Sequence, residues 1–279
     1  MKEIRGYVIG KTQGIYTLLA DGKRYNVKLR GSLKKNKDKF NCIVGDYVEF
    51  SDFIEKVEER KNFLLRPLIA NIDYVAMVYS AKNPDFDFIS FQKNLLWIDK
   101  QRVKRILILN KMDLEMDGLL EKIQKQFINL KIFPISLKDK TGLKELEEFL
   151  ENKHIVLSGL SGVGKSSLIN YLLREKLANV GSISEKTKKG KNTTILTKYY
   201  NKNNMILFDT PGYSSIDFPN FENKKDIRNY FIEFENEHCK FRDCLHLDEP
   251  NCAIKEAVLS GAIDEERYEF YKYVIRNFE

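Results

Sequence analysis

Between Ile4 and Val57 apolar and polar positions alternate with the two-residue period of strands that bury one face. Arg24-Tyr25-Asn26-Val27-Lys28-Leu29 is the cleanest run. Gly6 to Gly10 and Ile15 to Leu19 precede it, and Asp21-Gly22 is a hairpin signal. Asp46 to Phe50 and Ile54 to Val57 complete about five strands in about 60 residues, the make-up of a small barrel. An OB-like barrel, a frequent nucleic-acid-binding scaffold, is expected, and an SH3-like barrel fits nearly as well.

From Ile72 the period changes. Ile72 to Tyr79, Arg105 to Leu109, Ile132 to Ile135, His154 to Ser158 and Met205 to Phe208 read as apolar strands. Between them Phe86 to Lys100, Leu119 to Asn129 and Leu143 to Leu150 read as helices. This alternation predicts an α/β domain with a mostly parallel sheet and ligands at the carboxyl ends of its strands. After Pro219 the chain is expected to be helical and polar. The predicted organisation is a barrel over 1–65, an α/β domain over 66–219 and a helical domain over 220–279.

Composition adds limits. In 279 residues, 43% hydrophobic and 12% aromatic side chains suffice for packed cores. No stretch approaches the roughly 18 apolar residues of a membrane span, and the start, Met1-Lys2-Glu3-Ile4-Arg5, does not read as a signal peptide. Of four cysteines, three fall within 239–252, which fits metal binding in a reducing cytosol better than a disulfide framework. A cytoplasmic monomer is expected. The net charge of +7 is uneven: residues 1–65 carry 14 Lys/Arg against 9 Asp/Glu, and residues 174–202 carry 8 against 2. Residues 221–279 carry 9 against 14. Basic patches of this kind attract phosphate backbones, so RNA is a candidate partner for the first two segments, and solvated lysine loops fit the charge equally.

Two motifs name a nucleotide. Gly159-Leu160-Ser161-Gly162-Val163-Gly164-Lys165-Ser166 has the spacing of a phosphate-binding loop, with Ser167 opening the next helix. Its glycines let backbone N–H groups close on phosphate, Lys165 would neutralise β/γ oxygens, and the Ser166 hydroxyl would ligate Mg²⁺. Asn110-Lys111-Met112-Asp113 ends an apolar strand and reads as a guanine reader. Asp113 would accept from guanine N1–H and the exocyclic amine, Asn110 would support O6, and the Lys111 stem would cover the base. Ser136-Leu137-Lys138, after the next strand, is the supporting loop, with leucine where alanine is usual. In ordinary GTP-binding domains the phosphate loop comes first. Here it comes second, which suggests a circularly permuted GTPase.

Asp209-Thr210-Pro211-Gly212 also ends a strand: Asp209 would hold Mg²⁺ through water, and the Gly212 N–H would meet the γ-phosphate. Tyr213 stands where Ras-like enzymes place the water-orienting glutamine, so slow intrinsic hydrolysis is expected. Within Lys188-Lys189-Gly190-Lys191-Asn192-Thr193-Thr194, either Thr193 or Thr194 would complete the Mg²⁺ shell. Lys165, Thr193, Thr194 and Gly212 are thus the candidate catalytic residues. Cys239, Cys244, His246 and Cys252 supply three thiolates and an imidazole within fourteen residues, a set suited to one structural Zn²⁺. His238 is a weaker substitute ligand, Cys42 a core residue, Trp97 a packing residue, and His154 needs no functional role.

With its reversed motif order, its Lys61-Asn62-Phe63-Leu64-Leu65-Arg66-Pro67 junction and its Cys-Lys-Phe-Arg-Asp-Cys-Leu-His segment at 239–246, the chain resembles the ribosome small-subunit-dependent GTPase A family. The resemblance implies an OB domain, a permuted GTPase domain and a zinc domain. It also implies GTP hydrolysis stimulated by the small ribosomal subunit, rRNA binding and a role in late subunit maturation. Asn192 departs from the family's usual histidine, so a catalytic role for that histidine does not carry over. Two other readings stay open: a permuted GTPase acting on the large subunit, and an RNA-binding scaffold with a nearly inactive switch. Because Gly212 closely precedes the zinc domain in sequence, γ-phosphate-dependent movement at Asp209–Gly212 is expected to reposition that domain.

Overall fold

The computed structural model describes residues 3–34, 41–115, 118–174, 198–202, 204–209, 219–235 and 237–278. The alternating segment forms five strands: β1 (Ile4–Thr12), β2 (Ile15–Ala20), β3 (Lys23–Leu29), β4 (Tyr47–Phe50) and β5 (Phe53–Val57), with a short helix α1 (Gly31–Lys34) after β3. They close into a barrel in the order β1-β2-β3-β5-β4, with β3 and β5 parallel. That mixed pairing is the Greek-key closure of an OB-like barrel. The apolar set of the alternation points inward, with Val8, Leu18, Val48, Phe50 and Ile54 almost fully buried. Asp21 and Gly22 both take positive φ, 48° and 72°, as a two-residue hairpin turn requires. Cys42 lies in this core, where burial pushes its thiol up to about 12.

A hairpin of β6 (Phe63–Leu65) and β7 (Leu68–Ala70), unforeseen in the sequence, joins barrel to sheet. Next comes β8 (Tyr74–Ser80), which starts two residues later than expected. Asn62 is the cause: its side chain bonds both backbone groups of Ile72, at 2.9 and 2.8 Å, and withdraws that residue from the ladder. The other strands are β9 (Arg105–Asn110), β10 (Lys131–Pro134), β11 (His154–Ser158), β12 (Lys198–Lys202) and β13 (Met205–Asp209). Sheet order is β10-β9-β8-β11-β13-β12, parallel except for the edge strand β12.

Helices cover both faces. α2 (Phe88–Lys100) starts at its cap, Asp87, whose carboxylate accepts from the N–H groups of Ile89 and Ser90 at 3.1 and 3.0 Å. α3 (Leu119–Gln126) ends three residues before the expected Asn129. Phe127 turns into the core there, ring centroid 5.0 Å from that of Phe91, and the chain reverses to start β10. α4 (Leu143–Leu150) and α5 (Lys165–Leu173) cover the opposite face.

Residues beyond 219 form two 3₁₀ segments (Lys224–Tyr230 and Ile232–Phe234), then α6 (Ala253–Leu259) and α7 (Glu265–Arg276). The expectation of a polar segment needs correction, because this region has its own aromatic core of Phe231, Phe234, Tyr268, Phe270 and Tyr271. Leu96 of α2 is buried in that same core.

Candidate functional site

Parallel pairing brings the carboxyl ends of β8, β9, β11 and β13 to one edge of the sheet, placing Ser80, Asn110, Ser158 and Asp209 together there. The loop after β11 is shaped by glycine. Gly159 and Gly164 have φ of 141° and 100°, and an added Cβ would lie 2.1 Å from the Val78 carbonyl oxygen or 2.3 Å from Asn110 Nδ2. The loop therefore packs directly on the strand-end backbone and on Asn110. α5 follows at once, so its free N–H groups and the exposed Ser166 and Ser167 face the loop opening, where they favour an anion.

Lys165 folds back to donate to the Gly159 and Leu160 carbonyls, both at 2.6 Å. Burial holds its ammonium below the usual range, and the Asp209 carboxylate works in the opposite sense. Burial likewise raises Asp209, against the pull of Lys165 and Lys198. Two opposite charges thus lie partly buried at this strand end, each favouring the ionised form of the other against the cost of burial.

Asn110 is buried, and its amide donates to the Val163 carbonyl at 2.9 Å, so the end of β9 holds the loop after β11. Lys111, in the left-handed region at φ 62°, donates to the Gly162 carbonyl at 2.8 Å and to that of Asn83. Asp113 accepts from the Ser136 hydroxyl at 2.8 Å, and the Lys138 ammonium stands 3.6 Å away. That hydroxyl bond is the main cause holding the Asp113 carboxyl below its ordinary value, with Lys138 adding to it. Asp113 is therefore an ionised acceptor, as the N1–H and amine of guanine need. Met112 donates its N–H to the Ile135 carbonyl at 3.1 Å, joining the loops after β9 and β10, and Leu137 lies against Gly164. Among the described residues, Asn110 Oδ1 and Ser158 Oγ are buried without a hydrogen-bond partner. Such orphans are uncommon in a core, and both sit on the strand ends that carry the motifs.

The 81–86 loop also belongs to the site, although the sequence pattern does not single it out. Pro84 accepts from the Ser80 hydroxyl at 2.6 Å and flanks Gly162, while Asn83 receives Lys111. Its sequence signal is the Asn83-Pro84-Asp85 turn directly after a strand. Thr193, Thr194, Gly212, Asn192 and Tyr213 lie outside the described residues.

The metal-ligand set does assemble. One donor atom each from Cys239, Cys244, His246 and Cys252 lies within 4.8 Å of all the others. The Cys239 and Cys252 sulfurs are 3.7 Å apart, and His246 Nδ1 is 3.4 Å from each. A tetrahedron with Zn–S bonds of about 2.3 Å has edges of about 3.8 Å, so the group fits a closed tetrahedral ion. Its frame is hydrogen-bonded: the Glu249 carboxylate accepts from Leu245 and Leu247 N–H at 2.7 and 2.8 Å. The Tyr268 and Tyr271 hydroxyls donate to the His246 and Leu245 carbonyls. His238 is exposed and takes no part in the group.

His154 does more than begin a strand. Its Nδ1 is 3.1 Å from both the Tyr7 hydroxyl and the Asn71 carbonyl, and its N–H donates to Asp73 at 2.7 Å, so it fixes the barrel to β11. On the barrel, Lys11, Lys23, Arg24, Lys28 and Arg30 are exposed.

Comparison with known proteins agrees with this construction. The RsgA N-terminal domain profile matches residues 5–59 and the RsgA GTPase profile residues 57–219. A "Small ribosomal subunit biogenesis GTPase RsgA" of Fusobacterium nucleatum is 42% identical over 95% of this chain and 96% of its own. One from Geobacillus is 36% identical over 95% and 94%. Among solved structures, that of YjeQ from Thermotoga maritima superposes with a TM-score of 0.82 at 32% identity, covering 99% of this chain and 98% of that one. That of YloQ, described as a circularly permuted GTPase, superposes at 0.78 with 29% identity, over 99% and 94%.

Proposed function

From the membership of this chain in the RsgA GTPase family, we propose that it hydrolyses GTP on the small ribosomal subunit and acts in that subunit's late maturation. One observation supports the nucleotide reading above the rest. The loops at 110–113 and 159–166, reversed in chain order, are stitched into one site by Asn110 to Val163 and Lys111 to Gly162. A permuted chain thereby rebuilds the guanine-and-phosphate cradle of a GTPase.

In this reading Asp113, Asn110, Lys111, Met112 and the 136–138 loop hold guanine, and the 159–167 segment holds the phosphates. Lys165 neutralises charge developing on the γ-phosphoryl group. The Ser166 hydroxyl, and Asp209 through water, would hold Mg²⁺, which would supply neutralisation of phosphate charge. Thr193 or Thr194 and the Gly212 N–H would close over the γ-phosphate. Cys239, Cys244, His246 and Cys252 would hold structural Zn²⁺. Barrel residues 1–65 would lie on rRNA, the 66–219 segment forms the GTPase domain, and residues 220–279 the zinc domain. No helix of the described residues is long and apolar enough to cross a membrane, and we place the protein in the cytoplasm as a monomer.

Turnover with purified subunits tests the reading: small subunits are expected to raise kcat at least tenfold and large subunits to leave it unchanged. Equal turnover with and without small subunits would replace the enzyme by an RNA-binding scaffold, and stimulation by large subunits would redirect it. Asp113→Asn should weaken GTP binding by about 100-fold, the weight of two hydrogen bonds to a charged acceptor. It should also shift preference toward xanthosine nucleotides, since an amide donates where the carboxylate accepted. Unchanged GTP affinity in a direct titration would remove Asp113 from the site.

A further inference from the structure

The most deeply enclosed arginine or lysine among the described residues lies outside the nucleotide and metal sites. Arg267, on the first turn of α7, is only 4% exposed. Its Nε donates to Glu233 at 2.5 Å and its Nη1 to the buried Gln92 of α2 at 3.0 Å. The guanidinium lies 4.2 Å from the Phe231 ring centroid and 5.4 Å from that of Phe127, at the end of α3. Arginine remains ionised even here, so the fold keeps a buried cation whose partners come from three separate segments. A second contact runs beside it at the surface. Glu266 accepts from Lys122 at 2.8 Å and from Gln126 at 2.7 Å, both on α3.

These contacts seat the zinc-bearing segment on α2 and α3, the helices of the guanine-reading half. In sequence that segment follows the Asp209–Gly212 switch, yet in space it rests on the helices next to the other motif. α2 is itself tied to the nucleotide loops. It begins at Asp87, directly after the 81–86 loop that receives Lys111 and flanks Gly162. A load on the zinc domain therefore has a packed route to the phosphate loop: α7, Arg267, α2, the Asn83-Pro84 turn, then Lys111 and Gly162.

We propose that Arg267 is a positioning residue for GTP hydrolysis, clamping the zinc-bearing domain to α2 and the end of α3 so that contact with the small subunit is transmitted to the nucleotide loops through α2. This rests on the subunit-stimulated reading above. It places the path of stimulation on the guanine side of the site, whereas the sequence pointed to the switch linker alone.

The experiment measures basal and small-subunit-stimulated turnover for the full-length protein and four variants, with bound zinc and GTP affinity determined for each. Arg267→Met, nearly isosteric in its stem, is expected to keep zinc, GTP affinity and basal kcat within twofold. Its stimulated kcat should fall at least tenfold with KM for GTP unchanged. Because that variant can fail to fold, the exposed pair provides a second arm. Lys122→Glu and Glu266→Lys, each placing like charges together, should lower stimulated kcat several-fold, and the double exchange should restore it to within twofold of wild type. Full stimulation of a folded Arg267→Met, equal loss of basal and stimulated rates, or a double exchange no better than the single changes would each overturn the clamp. A wild-type protein that small subunits fail to stimulate would overturn the functional reading and the clamp with it, whereas a stimulated wild type with a stimulated Arg267→Met sinks the clamp only.

Discussion

Gly164→Ala is expected to lower GTP affinity by at least about 100-fold while leaving the barrel and zinc segment folded. Two independent penalties meet at this residue. The backbone sits at φ 100°, where an L side chain is strained, typically by about 1–3 kcal/mol. The new Cβ would also lie 2.3 Å from Asn110 Nδ2. Asn110 is 2% exposed and holds the Val163 carbonyl at 2.9 Å, so it cannot yield without leaving a buried polar group unpaired, at about 1–3 kcal/mol. Relief comes most readily by displacing the phosphate loop, which is the part that must grip GTP. About 2.7 kcal/mol suffices for a hundredfold change. Gly14→Ala is the control: φ is 80°, nothing lies within 4 Å of the added carbon, and the site is a barrel turn. It should carry the strain and spare the affinity. Titration with a fluorescent GTP analogue reads both, and a Gly164→Ala affinity within threefold of wild type would show that the loop does not pack as described.

What the sequence made legible is what local chemistry dictates. The phosphate loop needs glycines at fixed spacing, Asp113 needs a strand to present it, and the cysteine-histidine set needs only proximity along the chain. All three assemble. Edge and interface features were not legible, for physical reasons. β12 is Lys198-Tyr199-Tyr200-Asn201-Lys202, an edge strand whose charged ends hide its period. The C-terminal core is hidden because its aromatic residues are scattered among charged ones without a clean period, while Arg267 and the Tyr268 and Tyr271 hydroxyls find partners within it. The roles of Asn83 and His154 depend on residues 28 and 147 positions away, and no local pattern encodes those contacts. Chain order points to the covalent neighbour at Asp209–Gly212 as what moves the zinc-bearing segment, and it carries no sign that this segment also packs on α2 and α3.

Removing zinc is expected to unfold residues 239–275 while GTP affinity stays within about twofold. The ligands Cys244, His246 and Cys252 belong to the same buried cluster as Phe231, Phe234 and Tyr271 or touch it directly. Without a metal, burial disfavours the charged forms, raising the Cys244 and Cys252 thiols, so the centre would become a set of crowded neutral sulfurs. The bound ion supplies about 10–16 kcal/mol in zinc-finger peptides, as large as the roughly 5–15 kcal/mol of net stability of a whole domain. The small aromatic core of this segment cannot replace that. The nucleotide loops, by contrast, hang on the six-stranded sheet, whose two apolar clusters contain, among the described residues, neither a zinc-ligand candidate nor a residue beyond Phe208. Hydrogen exchange after chelation should therefore show lost protection across α6, α7 and the 239–252 loop, with β9, β11 and α5 still protected. Subunit stimulation should vanish together with the seat of Arg267. Protection that persists over 239–275 once the metal is gone would mean that the fold there stands without it.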